Sequence, residues 1–430
     1  MINRFFYMQL KSLFFRLLLC VVFVNVTVLP VSALDLLKEI ELEDTVCVDI
    51  SKNHLVCPSN TNPNMTRFYQ QLDSLVVGKE GRLNILHIGG SHIQADIFSN
   101  RIRRNMDSLN QGMRSPRGLI FPYSAAKTNN PLNYKVKYDG KWEACKNVNR
   151  ELSMFLGMTG IAIQTADTAA SIKIVLNPND STRRWVTNKI QVLGYSDYMD
   201  KVEPVLLRAD SSVMAGVHEI LTDSYIFEFE EEVDSFVIKF EQKDTVPHSF
   251  TLTGIITDND NPGIVYHSIG VNGASVPSYL KCRNFERDLH LIKPDLVIFG
   301  IGINDATPYN FNDTTFMKNY DLLIQDIKRV SPECALIFVS NNDSYRRRKK
   351  RYTVNTNGEI AQKAFYSLAK KHNACVWDLF DIMGGLKSMA AWERAGLAKR
   401  DKVHFTVKGY TLIGDLLYNA IISDYLQQKH

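Results

Sequence analysis

Four separated stretches of this 430-residue chain carry the residue types that acyl transfer needs. The first, ILHIGGSHIQAD (85–96), presents Ser91 directly after two glycines. The second holds Gly270, Asn272, Gly273 and Ser275, and the third holds Gly302, Asn304 and Asp305. The fourth, KRDKVHFTVKGY (399–410), holds Asp401 and His404. A serine hydroxyl is a poor nucleophile until a base takes its proton. His404 is suited to be that base, and Asp401 can fix its tautomer and stabilise the imidazolium. The oxyanion needs preorganised donors, which glycine N–H groups and an asparagine amide supply. Each residue also has a plainer reading. Ser91 could be only a helix N-cap, Asn304-Asp305 an ordinary turn, His404 a packing histidine, and Gly270 and Gly273 turn glycines. Together, in order and each after an expected strand or just before an expected helix, they point to one site.

The elements that must position these residues follow from the hydrophobic pattern. LNILHIGG (83–90), GIVYHSIG (263–270), PDLVIFGIG (294–302), ALIFVSNN (335–342) and ACVWDLF (374–380) are short apolar runs expected to be buried strands. Amphipathic stretches at 66–78, 96–109, 278–292, 314–330, 358–372 and 406–426 are expected to be helices. This alternation predicts an α/β fold with a parallel sheet covered on both faces. In such sheets ligands bind beyond the carboxyl ends of the strands, where all four polar stretches fall.

Between about 119 and 262 the texture changes. SIKIVLNP, KIQVLGYS, YIFEFEEEVDSFVIKFEQ and SFTLTGIITDN alternate with period two and are broken by Asn, Asp, Pro and Gly. This predicts an all-β sandwich, jelly-roll-like, inserted into one α/β domain. The expected organisation is a lead-in over 34–80, α/β segments over 81–118 and 263–430, and the β insert over 119–262.

The formal net charge is +4, which suggests neither a nucleic-acid binder nor an acidic tail. Residues 1–33 read as an export signal: a basic start, the apolar LLLCVVFVNVTVLP, and the small-residue cleavage site Val31-Ser32-Ala33. A retained membrane anchor is the alternative for this segment. After cleavage no other segment is apolar enough to span a bilayer. The location expected is periplasmic or extracellular. The cysteines lack metal-ligand spacing. Cys47 and Cys57 are close enough in sequence to staple a loop, whereas Cys334 and Cys375 read as small core residues.

The four stretches resemble the blocks of the SGNH (GDSL-type) hydrolases: a GDS serine, a glycine block, a GxND block and a C-terminal DxxH. Here they read Gly89-Gly90-Ser91, Gly270-Val271-Asn272-Gly273-Ala274, Gly302-Ile303-Asn304-Asp305 and Asp401-Lys402-Val403-His404. The resemblance implies a flavodoxin-like three-layer α/β/α domain. It implies Ser91 as nucleophile, His404 as base, Asp401 as its partner, and Ser91 N–H, Gly273 N–H and the Asn304 amide as oxyanion donors. No metal or organic cofactor is implied. Gly90 stands where the family usually has Asp, so a supporting carboxylate is missing. The longer string GGSHIQAD, the β insert and VHFTVKGY resemble the exported peptidoglycan O-acetylesterases, in which a carbohydrate-binding-like β module sits within the hydrolase domain.

The expected activity is removal of O-acetyl groups from a polysaccharide, with an O-acetyltransferase or a non-catalytic glycan-binding protein as alternatives. A downstream Asp/His pair with DxxH spacing favours hydrolysis. His92, Gly270 and Asp305 are further candidates for lining the substrate pocket. His87 reads as a core residue, and Asp96 as an acidic residue favouring the N-terminus of the first helix. YRRRKKRY (345–352) is either a solvated loop or an electrostatic contact to an anionic glycan. Trp377, Trp392, Tyr345 and Tyr352 are candidates for stacking on sugar rings, with Trp377 better suited to the core. MGGLKSMAAWERAGL (383–397) is expected to shape the cleft.

Overall fold

The apolar runs assemble into a six-stranded sheet. Its order is Leu55–Val56, Cys375–Trp377, Ala335–Val339, Leu296–Gly300, Arg82–Gly89, Gly263–Gly270. Five strands are parallel and the Leu55–Val56 edge strand is antiparallel to its neighbour. The structure is a computed structural model that describes residues 36–40, 48–59, 61–78, 80–110, 112–178, 185–198, 201–208, 210–349 and 351–429. The expected export signal and Cys47 lie outside the described residues. None of the described helices is long and apolar enough to cross a membrane.

Parallel strands are covered on both faces, so their residues must be apolar in both directions. Leu86, Ile88, Val297, Phe299, Leu336 and Phe338 pack in one cluster with Phe316, Tyr320 and Phe365 from the helices Asp313–Val330 and Asn357–His372. The alternate residues Ile85, Ile298 and Ile337 are equally buried on the opposite face. His87 is fully buried there, with Nδ1 2.7 Å from the Tyr266 hydroxyl, as expected of a core histidine.

The region after the first helices is entirely antiparallel. One sheet runs Val213–Ala215, Val202–Leu207, Ser235–Gln242, Ser171–Val175, Lys135–Asp139. The other is built around Thr187–Ser196 and Phe250–Asp258, and Gly118–Ile120 joins it across the expected boundary at 118. The apolar cluster is continuous from Leu86 and Ile88 to Ile163, Ile190 and Phe250 of this region. Residues Lys38–His430 accordingly form one compact unit.

Three sequence expectations change. Asp96 does more than favour the N-terminus of the helix Phe98–Asp107, where it accepts from Ser99. Its carboxylate is buried between Arg103 and Arg117, both 1% exposed, and also accepts from Ser268 and Asn133. Burial alone would raise its pKa, but the two guanidinium groups outweigh that and hold it at about 2. This cluster ties the first helix, Phe98–Asp107, to the strand Gly263–Gly270 and to the entry of the β region. The stretch 278–292 is not one helix but two, Val276–Tyr279 and Phe285–Ile292, separated by a turn. Cys57 pairs with Cys375, across 318 residues, rather than with its sequence neighbour Cys47, so Cys375 is a disulfide partner and not the plain core residue expected. The pairing follows from the sheet, because Leu55–Val56 lies against Val376 and Trp377. Cys334 is a buried free thiol, as expected.

Candidate active site

Register sets the site. Gly89 pairs with Gly270 on one side and with Gly300 on the other. Three neighbouring parallel strands therefore end level, and the loops bearing Ser91, Gly273 and Asn304 leave from one line.

Ser91 opens a short helix, Ser91–Gln94, whose N-cap position is Gly90. Ser91 is thus not the cap, and its side chain is turned elsewhere. Ser91 Oγ lies 2.7 Å from His404 Nε2. His404 Nδ1 lies 2.9 Å from Asp401 Oδ2, and Asp401 Oδ1 accepts the backbone N–H groups of Val403 and His404, each at 2.9 Å. Partial burial works against the Asp401 charge. Its bonds from the His404 ring and the two N–H groups prevail and hold its pKa well below the usual carboxylate range. An ionised Asp401 requires Nδ1 to carry the imidazole proton. Nε2 is then the acceptor facing the serine hydroxyl.

The glycine block forms the other wall. Gly273 has φ 84°, a left-handed conformation that favours glycine. Its N–H has no partner among the described residues. Asn304 donates one amide hydrogen to the Ala274 carbonyl at 2.9 Å, which leaves its second hydrogen for a ligand. A Cβ built on Gly90 would stand 3.3 Å from Ala274 O and 3.4 Å from Asn304 Nδ2. Gly90 therefore lies beside the Asn304 amide, one of the donors expected to hold an oxyanion.

The other expected pocket residues fall in different places. Gly270 is buried under the nucleophile turn, where a Cβ would come within 2.4 Å of Gln94 N. Its lack of a side chain lets the helix Ser91–Gln94 sit on the strand end. Asp305 accepts the Val276 N–H with both oxygens, at 3.2 and 3.1 Å, and so braces the glycine block. Burial pushes its pKa up to about 7 against the bonds from the Val276 N–H and its own N–H. His92 stands beside His404 rather than across from it. Its ring lies 5.3 Å from the His404 ring, and its Nδ1 lies 2.7 Å from the Tyr410 hydroxyl. Asn342 is also close to the His92 ring. Asn342 in turn donates to the Val403 carbonyl at 3.1 Å. Trp377 and Trp392 are fully buried, so neither is available to a sugar. The helix Ser388–Arg394 carries Trp392 inward, where its Nε1 donates to the Met383 carbonyl.

Gln94 was not singled out by its type or spacing. It is 2% exposed and its Oε1 accepts the Asn272 N–H at 2.7 Å, next to Gly273. Its Nε2 donates to Thr128 and Asn129 of the β region. The only hint was a polar side chain on the buried side of a short helix.

Residues 251–412 match the family model described as GDSL-like Lipase/Acylhydrolase family. The match includes Asn304, Asp401 and His404 and lies downstream of Ser91. Over this part the chain is similar to ester hydrolases of the GDSL-like class. Its fold is similar to that of a peptidoglycan O-acetylesterase, with TM-score 0.69 and 18% identity over 89% of this chain and 99% of that one. Smaller matches include an acetyl xylan esterase (TM-score 0.29, 19% identity, 36% of this chain and 79% of that one). A GDSL-like lipase from Bacteroides thetaiotaomicron matches 37% of this chain and 76% of its own, at TM-score 0.29 and 18% identity. No curated protein matches the chain.

Proposed function

We propose that this protein is an exported serine esterase that removes O-acetyl groups from a polysaccharide, with peptidoglycan as the substrate. The observation that carries the reading is the continuous chain Ser91 Oγ, His404 Nε2, His404 Nδ1, Asp401 Oδ2, with steps of 2.7 and 2.9 Å. Ser91 Oγ attacks the acetyl carbonyl while His404 Nε2 takes its proton. The tetrahedral oxyanion is held by the N–H groups of Ser91 and Gly273 and by the Asn304 amide. His404 then protonates the departing sugar oxygen. Water, deprotonated by the same histidine, releases acetate and restores Ser91.

The substrate assignment is supported by the fold shared with a peptidoglycan O-acetylesterase over most of both chains. Export is supported by the leader-like N-terminus and by the Cys57–Cys375 disulfide, which suits an oxidising compartment. The β region serves as a carbohydrate-binding-like module in this reading. Acetate release from O-acetylated peptidoglycan and from acetyl xylan tests it. Release from peptidoglycan that is absent in Ser91→Ala is expected; equal release by the variant would overturn the mechanism, and exclusive release from xylan the substrate.

A further inference from the structure

YRRRKKRY holds six consecutive basic residues, Arg346 to Arg351, and no acidic residue occurs between Asp343 and Glu359. It folds as a two-stranded hairpin, Tyr345–Arg348 with Arg351–Val354. The hairpin is tied to both sides of the site. Tyr345 N donates to the Lys402 carbonyl at 3.1 Å, inside the Asp401–His404 loop. Arg346 Nε donates to the Thr307 carbonyl at 2.5 Å, just past Asn304 and Asp305, and its guanidinium lies 4.5 Å from the Tyr309 ring. Asn355, after the second strand, donates to the Ala306 carbonyl at 3.2 Å.

Most of the described charges on this hairpin lack a counter-ion among the described residues. Arg347, Arg348, Lys349 and Arg351 are exposed and have no carboxylate partner among the described residues. The register puts Arg348 directly opposite Arg351, a pairing of like charges that weakens a ladder. Nearby, Lys399 and Arg400 add exposed positive charge on the same catalytic loop. A strand pair that sets arginines against each other while bonded to both active-site loops is arranged for an external anion. Tyr309, 71% exposed, and the half-buried Tyr345 and Tyr352 add ring faces beside the charges.

We infer that the hairpin 345–354 is a subsite for the carboxylates of an anionic glycan strand, which it holds while one acetyl ester of that strand reaches Ser91. This rests on the esterase reading for the ester but not for the anion. Exposed charges act through a screened field, so the contribution must fall with salt.

The test compares wild type with Arg347→Gln/Arg348→Gln/Arg351→Gln on soluble O-acetylated peptidoglycan chains. The chains are used with carboxyls intact or amidated, which changes charge and leaves acetyl content alone. On intact chains at low salt, kcat/KM for the variant is expected to be about tenfold or more below wild type. The gap should close at high salt and on amidated chains. Binding of de-acetylated intact chains, measured alongside, should weaken to a similar degree in the variant; this arm stands even if no acetate is released. Equal losses on intact and amidated chains, or equal binding by both proteins, would overturn the inference. So would tighter wild-type binding of poly(dT) than of intact chains, which would assign the surface to nucleic acid.

Discussion

The His92 imidazole packs at a tilt against the His404 imidazole, with ring centroids 5.3 Å apart. The residue after Ser91 thus packs against His404. Through the Tyr410 hydroxyl it is also connected to the helix Val407–Gln428 that follows His404. Burial, with the neighbouring His404, pushes the His92 pKa down to about 3, so it acts as a neutral ring. His92→Gln is expected to lower kcat by about tenfold to a hundredfold, because small misplacements of a base are costly. KM should change little, and the shape of the pH–rate profile should be unchanged because His92 does not titrate there. A changed KM with intact kcat would instead make it a substrate contact.

Gly90 separates this site from the usual aspartate pattern. Its φ of −102° is not left-handed. A Cβ there would sit 3.3 Å from Ala274 O and 3.4 Å from Asn304 Nδ2, so a side chain at this position must push these neighbours by a few tenths of an ångström. Gly90→Asp is expected to reduce kcat rather than restore a missing support, since its carboxylate would compete for the Asn304 amide. The loss should be of the order seen when an oxyanion donor is removed, about 10²-fold. Steady-state kinetics of Gly90→Asp and Gly90→Ala would show this; a gain in the aspartate variant contradicts it.

Asp305 gives a pH signature. Burial raises its folded pKa to about 7, above the unfolded value of about 4. Protonated Asp305 therefore favours the fold. That contribution is complete below about pH 4 and is lost as pH rises through about 7. Asp305→Asn cannot ionise and can still accept the Val276 N–H. Relative to wild type its Tm should rise between pH 4 and pH 8. A difference in Tm that does not vary with pH would exclude the ionisation as its cause.

The Cys57–Cys375 bond holds the edge strand Leu55–Val56 to the sheet. The double variant Cys57→Ser/Cys375→Ser should lose about 2–5 kcal/mol of stability in denaturant titration. An unchanged midpoint would mean that the strand pairing alone fixes the lead-in.

The residues of the proposed triad stood out in the sequence because each follows a buried strand or precedes a long helix, and both are signalled by short periodic patterns. Ser91, Gly273, Asn304 and His404 are also types whose chemistry is visible without a structure. Asp96, His92 and Gln94 were not legible in the same way. Their partners, Arg117, Tyr410 and Asn272, lie 21, 318 and 178 residues away, and no local pattern reports such contacts. Cys57 pairing with Cys375 failed for the same reason: closeness in sequence suggested Cys47, whereas strand pairing decided. The single helix expected over 278–292 broke because Ser275 and Asn284 each start a new one.

The central claim is that Ser91 carries the acyl group. It is tested most directly by acid-quenching the enzyme during turnover of an aryl acetate and locating the added mass by peptide mass spectrometry. One acetyl group on the peptide containing Ser91 is expected, present in wild type and absent in Ser91→Ala. Turnover with no acetylated Ser91 peptide, or undiminished turnover by Ser91→Ala, would contradict the account.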